Sequence, residues 1–512
     1  MVAEKNIIKK LTVEVDTNSM AMALQLKDNL DTFFKEKIYP ILDTIFSEIH
    51  PKNTIQRFKT IELNIDLQKG EKLEEIKSKI INQILKEISK KRRTKIEEES
   101  TIYTSKNMSQ NSQEAFLFFL KNGQYPWWFH ENTQCTMDDI KGIDPSTLKS
   151  IISSSNNLNR LLYQFDIDFI TEIFFNAFNI DRNPIKTLGK IPSLLQIEPF
   201  KIDFLRWIFQ YKLTSHPAQF SDSFFNLIDA LFTKRNIEND TKSIQKNEFK
   251  KLLNLFQFCN ENLAIPIQFT TSKTRNNTYT ISIIESLKIA LKSNENITNT
   301  IDKNKGVFFI KIGSSPTPFL EQNLVQKIDE KAPQNLTDFE ERKDDSLTDG
   351  ILLKNAGLVL IHPFIKHFFE KLEFLSEGKI KNEKLDEAVH VLHYLACKQE
   401  QPQEHLLLFE KFLCNIPLQY PIKRYIKLTV SQKEACEELL QAMLSHWQGL
   451  KTKNTAVLRN EFLMREGKLQ TTNDRDSLYI QRKTQDILLD SIPWNFHLVK
   501  IPWKKKLVFV EW

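Results

Sequence analysis

Glycine is scarce in this chain, with 11 among 512 residues, and no two glycines lie closer than seven positions apart. That spacing removes whole classes of chemistry. A dinucleotide-binding GxGxxG, a phosphate-cradling GxxxxGK[ST] and a GxSxG nucleophile elbow each need glycines closer together. No HExxH and no EF-hand loop is present either. Cysteine is also thin: Cys135, Cys259, Cys397, Cys414 and Cys436 are never nearer than seventeen residues, so no CxxC metal or redox unit exists. An odd count without a compact framework points to a reducing compartment. No uncharged apolar run approaches the ~20 residues that cross a bilayer. The start, MVAEKNIIKKLTVEVD, has neither an apolar h-region nor a small-residue cleavage site, so the expected compartment is the cytoplasm. Neither sign of charge dominates. Lysine and arginine number 71 against 65 acidic residues, a net of +6, whereas a dedicated nucleic-acid binder carries a concentrated basic face. The runs Lys90-Lys91-Arg92-Arg93 and Lys504-Lys505-Lys506 read as a helix C-terminus and a turn between short strands.

What the chain has is phenylalanine, 37 in all, which suits a helix-rich protein with a bulky aromatic core. The expected class is α+β, predominantly α-helical. Residues 1–94 read as an N-terminal β-α-β-α unit. Leu11, Val13 and Val15 alternate with polar residues, as do Ile61, Leu63, Ile65 and Leu67, which predicts two half-exposed strands. A sheet of that kind has free edges to which a partner strand could add. Residues 19–50 are mostly helical, with Pro40 a break, and Leu73, Ile76, Ile80, Ile84 and Ile88 follow at helical spacing. Residues 95–112 are polar and aperiodic and read as a linker. A helical middle region covers 113–310, with Gly123 as a stop and helix-like stretches at 158–165, 169–178, 204–211, 224–232 and 249–258. Residues 311–350 read as a flexible linker. Residues 351–512 form a helical C-terminal domain, with helices at 358–375, 385–396, 405–413 and 433–447. A strand is expected near 478–481, a helical turn at 487–489 and a small terminal β-hairpin after them.

Tryptophan marks the ends of these regions. Trp127 and Trp128 follow Pro126, and the last twenty-two residues carry Pro493-Trp494, Pro502-Trp503 and the terminal Trp512. These seven positions (Trp127, Trp128, Pro493, Trp494, Pro502, Trp503 and Trp512) are expected to be packing or partner anchors. A large ring fixes where an element docks, and proline fixes the backbone beside it. No basic residues interleave with Trp127 and Trp128, which argues against base stacking. His390, His393 and Cys397 share one helical face and are zinc-ligand types, but no fourth ligand is evident, and burial is the stronger reading. His362 precedes Pro363 with no nucleophile or paired carboxylate beside it. The residues alone describe a multidomain interaction protein with no catalytic, cofactor or metal site.

Four blocks carry a resemblance to the tape measure protein family of contractile injection systems, the phage-tail-like machines of bacteria. They are IIKKLTVEVDTNSMAMALQLKDNL with IYPILDTIF and IQRFKTIELNIDL; FLFFLKNGQYPWWF; GLVLIHPFIKHFFEKL with AVHVLHYLA and EHLLLFEKFLCNIPL; and LSHWQGLKTKNTAVLRNEFLMREGKL with DILLDSIPW, IPW and VEW. The blocks occur in the family's order and cover both ends of the chain. Lys398 and Asn415 depart from the pattern, standing where the family has glycine. The resemblance implies a structural or assembly protein of the bacterial cytoplasm, with incorporation into the assembled particle left open. It would set or support tube and sheath length, or else act as an assembly chaperone. Its partners would be tube, baseplate or hub proteins, with no nucleic acid and no membrane span, and with homo-oligomerisation left open. A literal tape meets an obstacle. A continuous helix rises ~1.5 Å per residue, so residues 113–350 would reach roughly 360 Å, but Pro126, Pro184, Pro192, Pro199, Pro217 and Pro266 interrupt them.

Overall fold

A computed structural model describes residues 6–14, 34–49, 54–66, 73–93, 103–129, 136–178, 198–214 and 350–512 except 473, with Met20, Leu24 and Thr32. The chain divides into two units. One comprises Met1–Phe118 and Tyr125–Gly142, the other Phe119–Gln124 and Ile143–Trp512. The class is α+β, predominantly helical, with small sheets.

Isoleucine at a spacing of four builds the core of the first unit. A π-helical turn, Phe34–Ile38, runs into helix α1, Tyr39–Ile49. Pro40 sits at that seam, where its missing N–H breaks the regular ladder. Helix α2, Leu73–Arg93, presents Ile80, Ile84 and Ile88 on one face against Ile38, Leu42 and Ile45. The helix ends on the Lys90–Arg93 cations.

The strands of this unit are not where alternation places them. Strand β1, Thr54–Phe58, pairs antiparallel with β2, Tyr103–Asn107, and β2 lies inside the stretch read as a linker. Helix α3, Met108–Asn122, follows directly, so residues 103–112 are ordered elements rather than a linker. Their polar side chains have partners. Glu114 of α3 receives Arg57 Nη1 and Lys106 Nζ, each at 2.7 Å. Burial opposes its charge, but the lysine and arginine beside it hold the carboxyl below its usual range. Residues 61–66 do alternate, with Ile61, Leu63 and Ile65 turned to the core, yet they form no ladder. The Gln83 side-chain amide takes both main-chain groups of Asn64, accepting from its N–H at 2.9 Å and donating to its carbonyl. Residues 11–14 also lie outside any strand, with Leu11 and Val13 exposed. Val15 and Leu67 lie outside the described residues.

In the second unit Gly123 ends α3 at φ +74, donating to Phe119 O at 2.8 Å. Helices α5 Pro145–Ile152, α6 Ser155–Gln164, α7 Ile167–Phe178 and α8 Glu198–Leu213 follow the short helix α4, Met137–Lys141, of the first unit. The stretches expected at 158–165, 169–178 and 204–211 fall on α6, α7 and α8. Those expected at 224–232 and 249–258, and the linker at 311–349, lie outside the described residues. From 350 on, one large apolar core organises the chain. Helix α9 (Ile365–Lys371) is preceded by a 3-10 turn, Ala356–Ile361, so the helix expected at 358–375 is broken, and Pro363 stands at the break. Helices α10 Leu385–Cys397, α11 Leu408–Leu413 and α12 Val430–His446 pack beneath a sheet. A reciprocal Thr429–Gln432 capping box starts α12. Lys398 closes α10 at φ +58 and Asn415 stands at φ +57, so both adopt the left-handed conformation that glycine favours.

The sheet has five strands in the order β3-β6-β7-β9-β8. These are Ile351–Leu353, Gly467–Thr471, Asp476–Ile480, Leu507–Glu511 and Leu498–Lys500. A separate two-residue ladder, β4 Leu375–Ser376 with β5 Lys379–Ile380, lies apart from it. The hairpin expected at the C-terminus is therefore the margin of a larger mixed sheet. β8 pairs antiparallel with β9, and β9 pairs parallel with β7. β3 and β6 were not legible because one is three residues long and the other, GKLQT, is largely polar.

Candidate functional site

Three tryptophans fasten the end of the chain onto its core. The Trp503 ring stacks on Phe369 with centroids 5.4 Å apart and planes 5° from parallel, and its Nε1 donates to Leu413 O at 2.7 Å. Trp494 meets Phe364 edge to face at 5.2 Å, with Nε1 buried and without a hydrogen-bond partner among the described residues. Trp512 donates from Nε1 to Asp486 Oδ2 at 3.0 Å, and the same carboxylate pairs with buried Arg465. Pro493 and Pro502 are exposed beside their rings. In the other unit Trp128 lies under the Arg57 guanidinium at 3.3 Å, whereas Trp127 is exposed. One anchor was missed. Trp447, at the end of α12, is fully buried, and its Nε1 reaches Leu488 O and Ser491 Oγ. It has no proline before it and so lacks the Pro-Trp signal that marks Trp127, Trp494 and Trp503.

Beneath the sheet lie two buried ionic centres, six residues apart in sequence. The first is built on Glu404. Arg160 of α6 donates to it from Nε at 3.0 Å and from Nη2 at 3.3 Å, and Lys411 of α11 donates at 2.8 Å. All three side chains are wholly buried. Arg160 also caps the carbonyls of Leu120 and Gln419, and Lys411 that of Leu418. Burial pushes the Lys411 ammonium down to about 8, with Glu404 opposing and Arg160 reinforcing the shift. Gly123 makes room for this centre, since a Cβ there would stand 2.6 Å from Glu404 Oε1. Gln164 extends the tie, accepting from Glu404 N–H at 2.9 Å and donating to Ile422 O at 2.7 Å.

The second centre is built on Glu410. Asn355 donates to its Oε1 at 2.7 Å and His393 Nδ1 stands 2.9 Å from the same oxygen. Burial opposes a charge on His393, but the Cys397 sulfur and the Glu410 carboxylate raise its pKa to about 10. His390 turns elsewhere, with Nε2 2.7 Å from Lys423 O, and burial lowers its pKa to about 4. Cys397 Sγ bonds back to His393 O. The His390–His393–Cys397 face therefore does not converge on one point, and no group of three ligand-type side chains that could hold a metal occurs among the described residues. His362 Nδ1 sits 3.2 Å from Val359 O, where burial lowers its pKa. These centres were missed because sequence patterning treats charge as surface. The signal was present: Glu410 and Lys411 interrupt the apolar run LLLFEKFL.

The arrangement packs a large apolar core and leaves an outward sheet face. On that face Leu498, Leu507 and Phe509 are 44%, 39% and 40% exposed, while Val499, Val508 and Val510 turn inward. No helix among the described residues is long and apolar enough to cross a membrane. A family model described as contractile injection system tape measure protein matches residues 5–512. The chain matches no curated protein and no solved structure.

Proposed function

Since this chain belongs to the contractile injection system tape measure protein family, we propose that it builds the tail of such a particle by setting or supporting the length of tube and sheath. The observation that carries this reading is the match of the family model to residues 5–512. The family is one of structural particle proteins, and on this reading the chain performs no catalysis and needs no cofactor. Its partners are tube, baseplate or hub proteins. It is made in the bacterial cytoplasm and carried into the assembling particle. Trp494, Trp503 and Trp512, with Pro493 and Pro502, hold the terminal sheet in the shape its partners meet. Trp128 plays that part beside exposed Trp127 in the first unit.

A second reading is an assembly chaperone or adaptor, and one observation favours it. The helices described between 143 and 214 are short. The longest, α8, has 16 residues, about 24 Å of rise, and the segment packs as a body rather than running as a tape. Deletion of the gene followed by electron microscopy of purified particles tests the assembly role, for which lost or mis-sized particles are expected. Normal numbers of normal length would overturn it. Deletion of whole helices from the middle region separates the two readings. Sheaths shortened in proportion support a ruler, and unchanged length with intact assembly supports the chaperone.

A further inference from the structure

Among the described residues no strand pairs with the outer edge of β8 in the C-terminal sheet, and that edge has the geometry of a strand acceptor. β8 is the last strand in the order, and its ladder with β9 fixes which main-chain groups point outward. Val510 N–H donates to His497 O at 2.8 Å, so the bonded pairs of this antiparallel ladder fall at His497 and Val499. Leu498 and Lys500 therefore aim their main-chain groups away from β9. Leu498 N–H already does so, reaching the Asn495 side chain at 3.4 Å. The N–H and C=O of Lys500 and the C=O of Leu498 form a short template of the kind that accepts an added strand.

The side chains at this edge select the partner. Leu498 and Lys500 share the outer face, beside Phe509 and Leu507 in register. Lys500 and Lys505 are exposed, and Arg475 lies over the Phe509 ring at 5.4 Å. Lys500 Nζ reaches only a carbonyl, Lys505 O, at 2.7 Å. Lys504 turns inward to Asp476 at 3.6 Å, and Glu511 stands further along β9, opposite Tyr479. A lysine on an edge strand discourages pairing with a second basic edge, including that of another copy. The same lysine favours a strand that brings a carboxylate opposite it. Val499 is fully buried on the inner face, so an added strand is read on the outer face, where Leu498 and Lys500 are exposed.

We propose that β8 accepts an extended segment of a partner protein whose side chains alternate apolar and acidic, the acidic ones beside Lys500 on the outer face. The proposal rests on the reading of the chain as an assembly protein only for the existence of a partner. Binding by the purified full chain is measured apart from particle formation, so either can fail alone. The probe is a fluorescent heptapeptide of alternating valine and glutamate, compared by anisotropy with its valine–lysine counterpart. The glutamate peptide is expected to bind about tenfold more tightly, a difference of ~1.4 kcal/mol. Lys500→Glu should reverse the preference. Lys500→Pro should abolish binding while leaving the melting curve near wild type, because the N–H it removes does not face β9. Equal binding of both peptides, no binding, or retention of binding by Lys500→Pro would overturn the proposal. So would self-association of the chain that Lys500→Pro removes without any peptide binding, which assigns the edge to a second copy.

Discussion

Two stretches of alternating sequence meet opposite fates. Residues 61–66 of the first unit, IELNID, turn Ile61, Leu63 and Ile65 to a core and Glu62, Asn64 and Asp66 to water. Residues 507–511 of the second, LVFVE, do the same with Val508 and Val510. Only the second becomes a strand, held between β7 and β8. In the first, a glutamine side chain stands where a neighbour would be. Alternation therefore dictates an extended backbone and an inward face, whereas a ladder depends on what lies beside it. The units also differ in how they hold charge. The first keeps its ion pair half in water, with Arg57 and Glu114 side chains 19% and 41% exposed, and the second buries its pair completely, at 0% and 0%.

That contrast in charge predicts the largest effect. Arg160→Ala removes the main partner of buried Glu404 and should destabilise the second unit by about 3–5 kcal/mol, because a buried carboxylate is left undercompensated. Arg57→Ala should lower the stability of the first unit by less, about 1–2 kcal/mol, since solvent screens the pair it breaks and the contact with Trp128 goes with it. Amide hydrogen exchange of the full chain, read separately over residues 34–93 and 385–444, measures both. Equal losses would remove the distinction between the two units.

Tryptophan removal comes next. Trp447→Ala deletes a fully buried ring together with its hydrogen bonds to Leu488 and Ser491, and should cost about 3–5 kcal/mol. Trp503→Ala, at a partly buried ring, should fall at or below the lower end of that range, about 3 kcal/mol. Urea unfolding, followed by exchange of amides in β7 and β9, gives the order. A larger loss for Trp503 than for Trp447 would place the main anchor on the terminal hairpin instead of on α12.

Acid and base should act on the second unit in opposite senses. His393, raised to about 10, contributes stability that is complete below the ordinary histidine value near 6.5 and lost as pH climbs through 10. His390 and His405, both lowered to about 4, are favoured neutral, so the stability tied to them is present above 6.5 and lost as pH falls toward 4. Midpoints of urea unfolding should therefore rise from pH 4 to 6.5 and fall from 6.5 to 8, the window below the titration of buried Lys411, whose lowered value of about 8 opposes the fall at higher pH. His393→Gln should flatten the alkaline limb alone.

How far the sequence foretold this molecule follows from which signals are local. Isoleucines at i and i+4 placed α2, and the Gly123 stop and the irregularity at Pro40, where a π-helical turn passes into α1, were each legible from one residue. Lys398 and Asn415 are instructive. The resemblance leads to an expectation of glycine there, and the backbone is left-handed at both positions although neither residue is glycine. What was not legible depended on partners distant in sequence. Arg160 finds Glu404 across 244 positions and Trp503 finds Leu413 across 90. β2 was hidden because its strand, YTSKN, is polar and is held by β1 and by Glu114.

The smallest effect returns to the unpaired alternating stretch. If the Gln83 amide occupies the place of a neighbouring strand, it alone protects the Asn64 amide hydrogen. Gln83→Met keeps the length and apolar stem of the side chain and removes both hydrogen-bonding groups. The loss should be about 1 kcal/mol, the net worth of such bonds at a site open to solvent, and should stay local. Asn64 N–H should then exchange several-fold faster, while the amides of Ile84 and Ile88, inside α2 and facing the core, keep their protection. Unchanged exchange at Asn64 would mean that something other than Gln83 holds that backbone. General acceleration across α2 would mean that the glutamine supports the helix rather than the extended segment. Acceleration confined to residues 63–65 is the result expected of a side chain acting as a one-residue strand.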